Sequence, residues 1–141
     1  MKTVASILLL AAALSMTPAA RATNSSLELV LSDDQVVFTS ATNISMEVIF
    51  RNVGETNLSP SRLLVDLAVV LDGKEFKRDW KRMPSLNILL ELQPKSGWRR
   101  GIAFSEFLIP SEALAPGRHT VTVRDMGSES NTLTLFIEPR K

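Results

Sequence analysis

His119 is the single histidine of this 141-residue chain and the residue best suited to acid–base chemistry near neutral pH. A Ser-His-Asp arrangement would need a nucleophilic serine and an acid within its reach. The sequence has no Gly-x-Ser-x-Gly motif, and Ser128 and Ser130 fall in a polar stretch expected to be a loop. We therefore expect His119 to be structural and predict no catalytic residues, so the protein is not expected to be an enzyme.

Other site chemistry finds little support in the residue spacing. The methionines that follow the N-terminal segment are scattered singly, and Met46 continues an apolar stripe, which favours core filling over metal binding. Asp33-Asp34 lacks the spaced oxygen ligands of a calcium loop. The glutamates show no spacing that would fix a carboxylate pair about 5–9 Å apart in a cleft. We predict no metal site and no cofactor.

Basic residues gather around both tryptophans. One group consists of Lys74, Lys77, Arg78, Lys81 and Arg82 around Trp80, and the other of Lys95, Arg99 and Arg100 around Trp98. Tryptophan and arginine are over-represented at binding hot spots, and basic residues among aromatic ones suit anionic partners. We hypothesise a partner-binding face formed by Arg78, Trp80, Arg82, Arg99 and Arg100. The alternative is a solvated strand edge protected by lysines, because nearby acidic residues dilute the first group.

The N-terminal segment predicts export from the cytoplasm. Met1-Lys2-Thr3 is basic, and Val4 to Leu14 is apolar but well short of the ~20 residues that span a bilayer. Ala20-Arg21-Ala22 places small residues at the −3 and −1 positions of a signal-peptidase site. We predict a signal peptide over residues 1–22 and a single domain over 23–141, secreted or periplasmic. A short, alanine-rich signal peptide with one lysine is typical of bacteria.

Composition limits the classes of partner. Loss of Lys2 and Arg21 with the signal leaves 14 basic and 15 acidic residues. Such a balance gives no overall field to attract nucleic acid or an anionic membrane, so neither is expected as a partner. No later apolar run reaches membrane-spanning length, so no membrane insertion is expected after cleavage. The chain has no cysteine, and packing alone must hold the fold.

Alternation of apolar and polar residues recurs throughout the domain and predicts half-buried strands. The stripes are Leu27 to Leu31, Val36 to Phe38, Ile44 to Phe50, Leu63 to Leu71 (the longest), Trp98 to Phe104, Val121 to Val123 and Leu133 to Ile137. Asp72-Gly73 predicts a hairpin turn. Leu86 to Leu92 fits either a buried strand or a short helix, and Ser111 to Leu114 fits one helical turn. We predict an all-β fold, an antiparallel two-sheet sandwich of seven or eight strands.

Two stretches carry a family resemblance. Ala113 to Val123, with Pro116-Gly117 before an alternating strand, resembles the corner and F strand of bacterial immunoglobulin-like and fibronectin-III-like domains. Ile44 to Gly54 resembles the B strand of CARDB-type and BsuPI-type modules. Leu92 to Trp98 is similar to a turn of those modules, with Lys95 in place of glycine. The resemblance implies an immunoglobulin-like sandwich in which His119 replaces the tyrosine that ties the corner to the backbone.

The function predicted from these observations is non-catalytic binding of a protein or a surface polymer by a secreted or periplasmic module. BsuPI-type modules include a proteinase inhibitor, which makes an inhibitor-like module, with an exposed loop such as Arg78 to Ser85, the first alternative. No inhibitory residue can be matched in this chain. A small secreted hydrolase or a metal or ligand carrier is the second alternative.

Overall fold

The computed structural model describes residues 26–41, 43–59, 64–81 and 91–139. The predicted signal peptide, Arg82 and most of the Leu86 to Leu92 run lie outside the described residues. Every regular element of the described ranges is a strand or a short 3-10 turn, which confirms the all-β prediction. None of these ranges contains a helix long and apolar enough to cross a membrane.

Two sheets pack against each other around one core. The first sheet has the order β1-β3-β6, with β1 at Leu27–Leu31, β3 at Ser45–Asn52 and β6 at Gly97–Ala103. The second sheet has the order β2-β9-β7-β4-β5, with β2 at Gln35–Phe38, β4 at Ala68–Leu71, β5 at Lys74–Lys77, β7 at Gly117–Asp125 and β9 at Leu133–Ile137. A two-residue strand, β8 (Ser128–Glu129), pairs with the end of β7. The 3-10 turns span Phe104–Glu106 and Ser111–Leu114.

The described strands number nine rather than seven or eight, and one pair is parallel rather than antiparallel. The chain leaves the first sheet after β1, turns at residues 32–34 and joins the second sheet as β2. There β2 runs parallel to β9, with Val36 opposite Leu135. The remaining pairs are antiparallel. Residues 32–34, which are Ser-Asp-Asp, therefore connect strands of different sheets.

The core is built from the predicted inward phases of the strands. Val48, Phe50 and Ile102 of the first sheet face Val121 and the neighbouring inner residues of the second, and all four have no exposed surface. Val121 lies between Leu71 and Leu133 in the sheet, and its lack of exposed surface confirms its predicted inward orientation. Burying side chains of this size stabilises the fold by about 1.5–3 kcal/mol each relative to exposure.

The longest predicted stripe is only partly a strand. β4 begins at Ala68, and Val65 is 49% exposed. Leu64 has a φ of 72°, in the left-handed region that a leucine rarely adopts. Side chains, not a neighbouring strand, bind the backbone N–H and C=O of Leu64, as described below. The apolar–polar alternation of this stripe therefore begins in a turn and becomes a strand only at Ala68. The prediction at Asp72-Gly73 is confirmed: both residues have positive φ and join β4 to β5.

Candidate functional site

A carboxylate lies between two arginines where the edges of the two sheets meet. Arg78 follows β5, the edge strand of the second sheet, and Arg100 lies on β6, the edge strand of the first. Glu106 Oε2 accepts a hydrogen bond from Arg78 Nη2 at 2.7 Å and lies 3.6 Å from Arg100 Nη2. Its Oε1 accepts the N–H of Ala103 at 3.1 Å. Glu106 therefore joins the two sheets through one side chain.

This group, which we call the arginine cluster (Arg78, Arg100, Glu106), holds more positive charge than negative. The Arg78 side chain has no exposed surface, and that of Arg100 is 16% exposed. Burial, followed by repulsion from Arg78, lowers the pKa of Arg100, and Glu106 opposes that change. The Nε of Arg78 and the Nη1 of Arg100 are buried without a hydrogen-bond partner. The Arg78 Nη1 also donates to the C=O of Leu64 at 3.3 Å.

Trp80 is the exposed neighbour of this cluster. Its side chain is among the most exposed large apolar ones of the described residues, at 52%. The Arg78 guanidinium lies 5.8 Å from the centroid of the Trp80 ring, in cation–π geometry. Because hydrogen bonds to Glu106 and Leu64 fix the Arg78 guanidinium, its contact with the indole restricts the orientation of the Trp80 ring.

The five residues hypothesised to form one face are divided by the strands. Arg99 and Arg100 are adjacent on β6, so they point to opposite faces of the sheet. Arg99 is exposed on the outer face and pairs with Glu47 at 3.3 Å. Trp98 is half-buried on the inner face and packs 5.5 Å from Phe50. Arg78 is buried, so it presents no surface to a partner, and Arg82 lies outside the described residues. Trp80 alone of the described four is both near the cluster and largely exposed.

His119 has both ring nitrogens in short contacts. Nδ1 lies 2.6 Å from Asp72 Oδ2, and Nε2 lies 2.7 Å from the C=O of Ala115. Both oxygens only accept hydrogen bonds, so the imidazolium is the form that satisfies both contacts. Although burial opposes the change, the hydrogen bonds to Asp72 and to the Ala115 carbonyl raise the pKa of His119. The contact with the Ala115 C=O is the bond to the backbone that was expected of a histidine at this corner.

Asp72 ties the β4–β5 turn to β7. Burial acts in the other direction, but the hydrogen bonds from His119 and Thr120 lower the pKa of this carboxyl. Asp72 Oδ1 accepts the N–H of Thr120 at 2.8 Å, and the N–H of Asp72 donates to the C=O of Thr120 at 2.9 Å. The contact between Asp72 and His119 therefore holds the β4–β5 turn against β7, and Asp72 is itself a residue of the predicted hairpin turn.

Among the described residues, Asp125 is the one buried acid. It ends β7 with 1% of its surface exposed, and its Oδ2 accepts the N–H of Leu64 at 2.8 Å. Its Oδ1 is buried without a partner. Burial, first of all, and repulsion by Asp66 raise the pKa of Asp125 to about 6, although the backbone N–H groups of Leu64 and Met126 and the charge of Arg78 oppose the rise. Asp125 and Arg78 thus hold the two sides of Leu64, which explains how a leucine remains at positive φ.

A cleft of about 700 Å³ opens beside Asp125. Its charged lining consists of Asp66, Glu75, Arg124, Asp125 and Glu129, and the turn from Met126 to Ser130 completes it. Arg124 bonds to Glu129 and lies 3.4 Å from Glu75 Oε2. Within the described ranges, no three histidine, cysteine, aspartate or glutamate side chains lie close enough to hold a metal ion.

The sequence hypothesis missed Glu106 and Asp125. Nothing in the spacing around Glu106 sets it apart from the exposed glutamates. For Asp125 a signal exists, because it continues the inward phase of Val121 and Val123 and so had to be buried. Arg100 carries the same signal, since it lies in phase between Trp98 and Ile102.

Comparison of this chain with known proteins identifies no family. No family model matches this chain, and no curated protein matches it. Among solved structures, this chain is similar to that of the alkylpurine DNA glycosylase AlkC of Pseudomonas fluorescens bound to DNA containing an abasic site analog. The TM-score is 0.46 and the identity 14%, over 82% of this chain and 31% of that one. This chain therefore spans less than a third of that protein, and a likeness of this size carries no argument about fold or activity.

Proposed function

We propose that the chain is exported and that its mature domain is an immunoglobulin-like sandwich that binds a protein partner without catalysis. The support for the fold is the corner. In immunoglobulin-like domains a tyrosine near the start of strand F bonds to backbone a few residues upstream. Here His119, near the start of β7, contacts the C=O of Ala115. The support for export remains the N-terminal segment of the sequence.

The use of the titratable groups supports binding over catalysis. His119 has both nitrogens in contacts that hold a turn and a corner. The buried groups of Arg78 and Asp125 bind the backbone of Leu64. A general base must reach a proton of the substrate, and these groups are directed at the protein itself.

The observation that carries the proposal is the exposed Trp80 ring on a buried guanidinium. Binding hot spots are enriched in tryptophan, and a side chain already held in its bound orientation loses less entropy when it binds. A ring with 52% exposure supported by Arg78 meets both conditions. Trp80 is therefore the contact residue, and Arg78, Arg100 and Glu106 are positioning residues that hold its support.

The test compares Trp80→Ala with Val37→Ala. Val37 is 54% exposed and lies on β2, at the other edge of the second sheet, so it is a matched apolar control. The immobilised mature domain is used to capture partners from the secreted and periplasmic fractions, and affinity is then measured with the purified partner. We expect Trp80→Ala to weaken binding by about thirtyfold, the equivalent of a 2 kcal/mol hot spot, with an unchanged melting temperature.

Two outcomes would change this proposal. Equal affinities of the Trp80→Ala and Val37→Ala variants would remove Trp80 as the anchor. A captured partner that survives protease digestion of the fraction would show that the partner is a surface polymer instead of a protein.

A further inference from the structure

The cleft beside Asp125 has a strongly acidic lining that does not include Trp80. Four carboxylates line it, from Asp66, Glu75, Asp125 and Glu129, against the single guanidinium of Arg124. Arg124 is engaged with Glu75 and Glu129. Asp66 and Asp125 are therefore left without a cation in the lining of the cleft.

The surroundings of Asp125 compensate this negative charge only in part. It is 1% exposed, its Oδ2 holds the N–H of Leu64, and its Oδ1 has no partner. The charged groups around it are Asp66 from the turn before β4, Arg78 from the end of β5 and Arg124 from its own strand. Arg78 directs its hydrogen bonds to Leu64 and Glu106, not to Asp125. A buried carboxylate with an unsatisfied oxygen costs free energy that a nearby cation would offset.

We propose that this cleft binds an organic cation, through an ammonium or guanidinium group placed near Asp66 and Asp125. The cleft has the volume of a small-molecule site, far more than a bare ion fills. Its carboxylates are spread around the lining, and no three of the described ones are close enough to hold a metal ion. Ser128 and Ser130 complete the lining, and their hydroxyls donate to the backbone C=O groups of Leu27 and Asn131. The cation can be a side chain of a protein or a free amine.

The pH dependence follows from the same geometry. Burial raises the pKa of Asp125 to about 6, so this carboxyl is largely neutral at about pH 5 and ionised at about pH 7.5. A bound cation favours the ionised form, so the affinity must rise with pH and cation binding must lower the pKa of Asp125. This site does not depend on the partner proposed for Trp80, and its test uses different residues and a different readout.

The experiment is an amide NMR titration of the mature domain with n-butylammonium chloride, against sodium chloride at matched ionic strength. We expect saturable shifts at Gly127, Ser128 and Glu129 with butylammonium alone, and weaker binding at about pH 5 than at about pH 7.5. Asp66→Asn should weaken binding about fivefold, the value of a single exposed ion pair. Glu28→Gln is the control, since Glu28 is exposed on the first sheet and pairs with Arg51.

The probes also separate the two sources of the cation. Tighter binding of N-acetyl-lysine methylamide than of butylammonium points to a protein side chain, and tighter binding of spermidine points to a free polyamine. The proposal is overturned if sodium chloride produces the same shifts, if Asp66→Asn and Glu28→Gln bind equally well, or if the affinity is the same at both pH values. Asp66 is exposed, so its substitution leaves the fold intact and keeps the test decisive.

Discussion

Asp125→Asn removes the charge of the most buried acid and keeps its shape. The asparagine carbonyl can still accept the N–H of Leu64, as Asp125 Oδ2 does at 2.8 Å. The negative charge next to Asp66 is lost, as is the ionised oxygen that has no partner. Asparagine is thus a mimic of protonated Asp125, and the variant isolates what ionisation costs the folded protein.

The magnitude follows from the pKa. Burial and Asp66 raise the pKa of Asp125 from the ordinary 3.8 to about 6. A group with a raised pKa in the folded state contributes stability that is complete below its unfolded pKa and lost as pH rises through the folded one. Two pKa units correspond to about 3 kcal/mol. Wild type should lose about that much between about pH 4 and pH 7.5 through Asp125, and the variant should not.

The assay is urea unfolding of both proteins at the two pH values. The stability of Asp125→Asn relative to wild type should be about 3 kcal/mol more favourable at the higher pH than at the lower one. This difference between differences cancels any fixed cost of placing the new amide group. Asp33→Asn, at an exposed turn acid, is the control and should show no such change. A relative stability of Asp125→Asn that does not vary with pH would refute the electrostatic account of this site.

Three further predictions concern the core, the corner and processing. Val121→Asp should destabilise the domain by about 4 kcal/mol, because it buries an unpaired charge. Thr122→Asp should cost under about 1 kcal/mol. Urea melts that rank the two variants in reverse would contradict the strand register. His119→Gln should lower stability by about 1–2 kcal/mol through lost contacts to Asp72 and Ala115. Because the pKa of His119 is raised, this deficit should shrink at high pH, where wild type loses its imidazolium; a hydrolytic activity lost with the histidine would contradict its structural role. Intact mass of the exported protein should correspond to residues 23–141, and a mass that retains 1–22 would contradict export by cleavage.

The period-2 pattern predicted most of the strands because one face of each sheet is buried. Val121 and Val123 are inward, as the pattern requires, and the Asp72-Gly73 turn joins its two strands. The pattern failed at residues 64–67, where apolar residues alternate in a turn. The cause is tertiary: Asp125 and Arg78 are distant in sequence from Leu64, and their contacts with it cannot be found in the local pattern.

The candidate site was harder to predict because composition does not separate the two faces of a strand. Arg99 and Arg100 are neighbours in a basic cluster, yet one is exposed and the other lies between the sheets. Alternation with Trp98 and Ile102 contained that information. Glu106 lies where the chain passes from the first sheet to the edge of the second, next to the bridge between Arg78 and Phe107. No local sequence pattern predicts this path, so the pairing of Arg100 with Glu106 could not be predicted.

Trp80 is the proposed contact residue of a binding module that we expect to be exported. The most direct measurement replaces Trp80 with the photo-crosslinking residue p-benzoylphenylalanine in the full-length protein, expressed in its native host, and compares it with the same replacement at Val37. We expect one discrete crosslinked species from position 80, which free wild-type domain competes away and which is absent from position 37. Crosslinks of equal yield at both positions, or none at position 80, would contradict it.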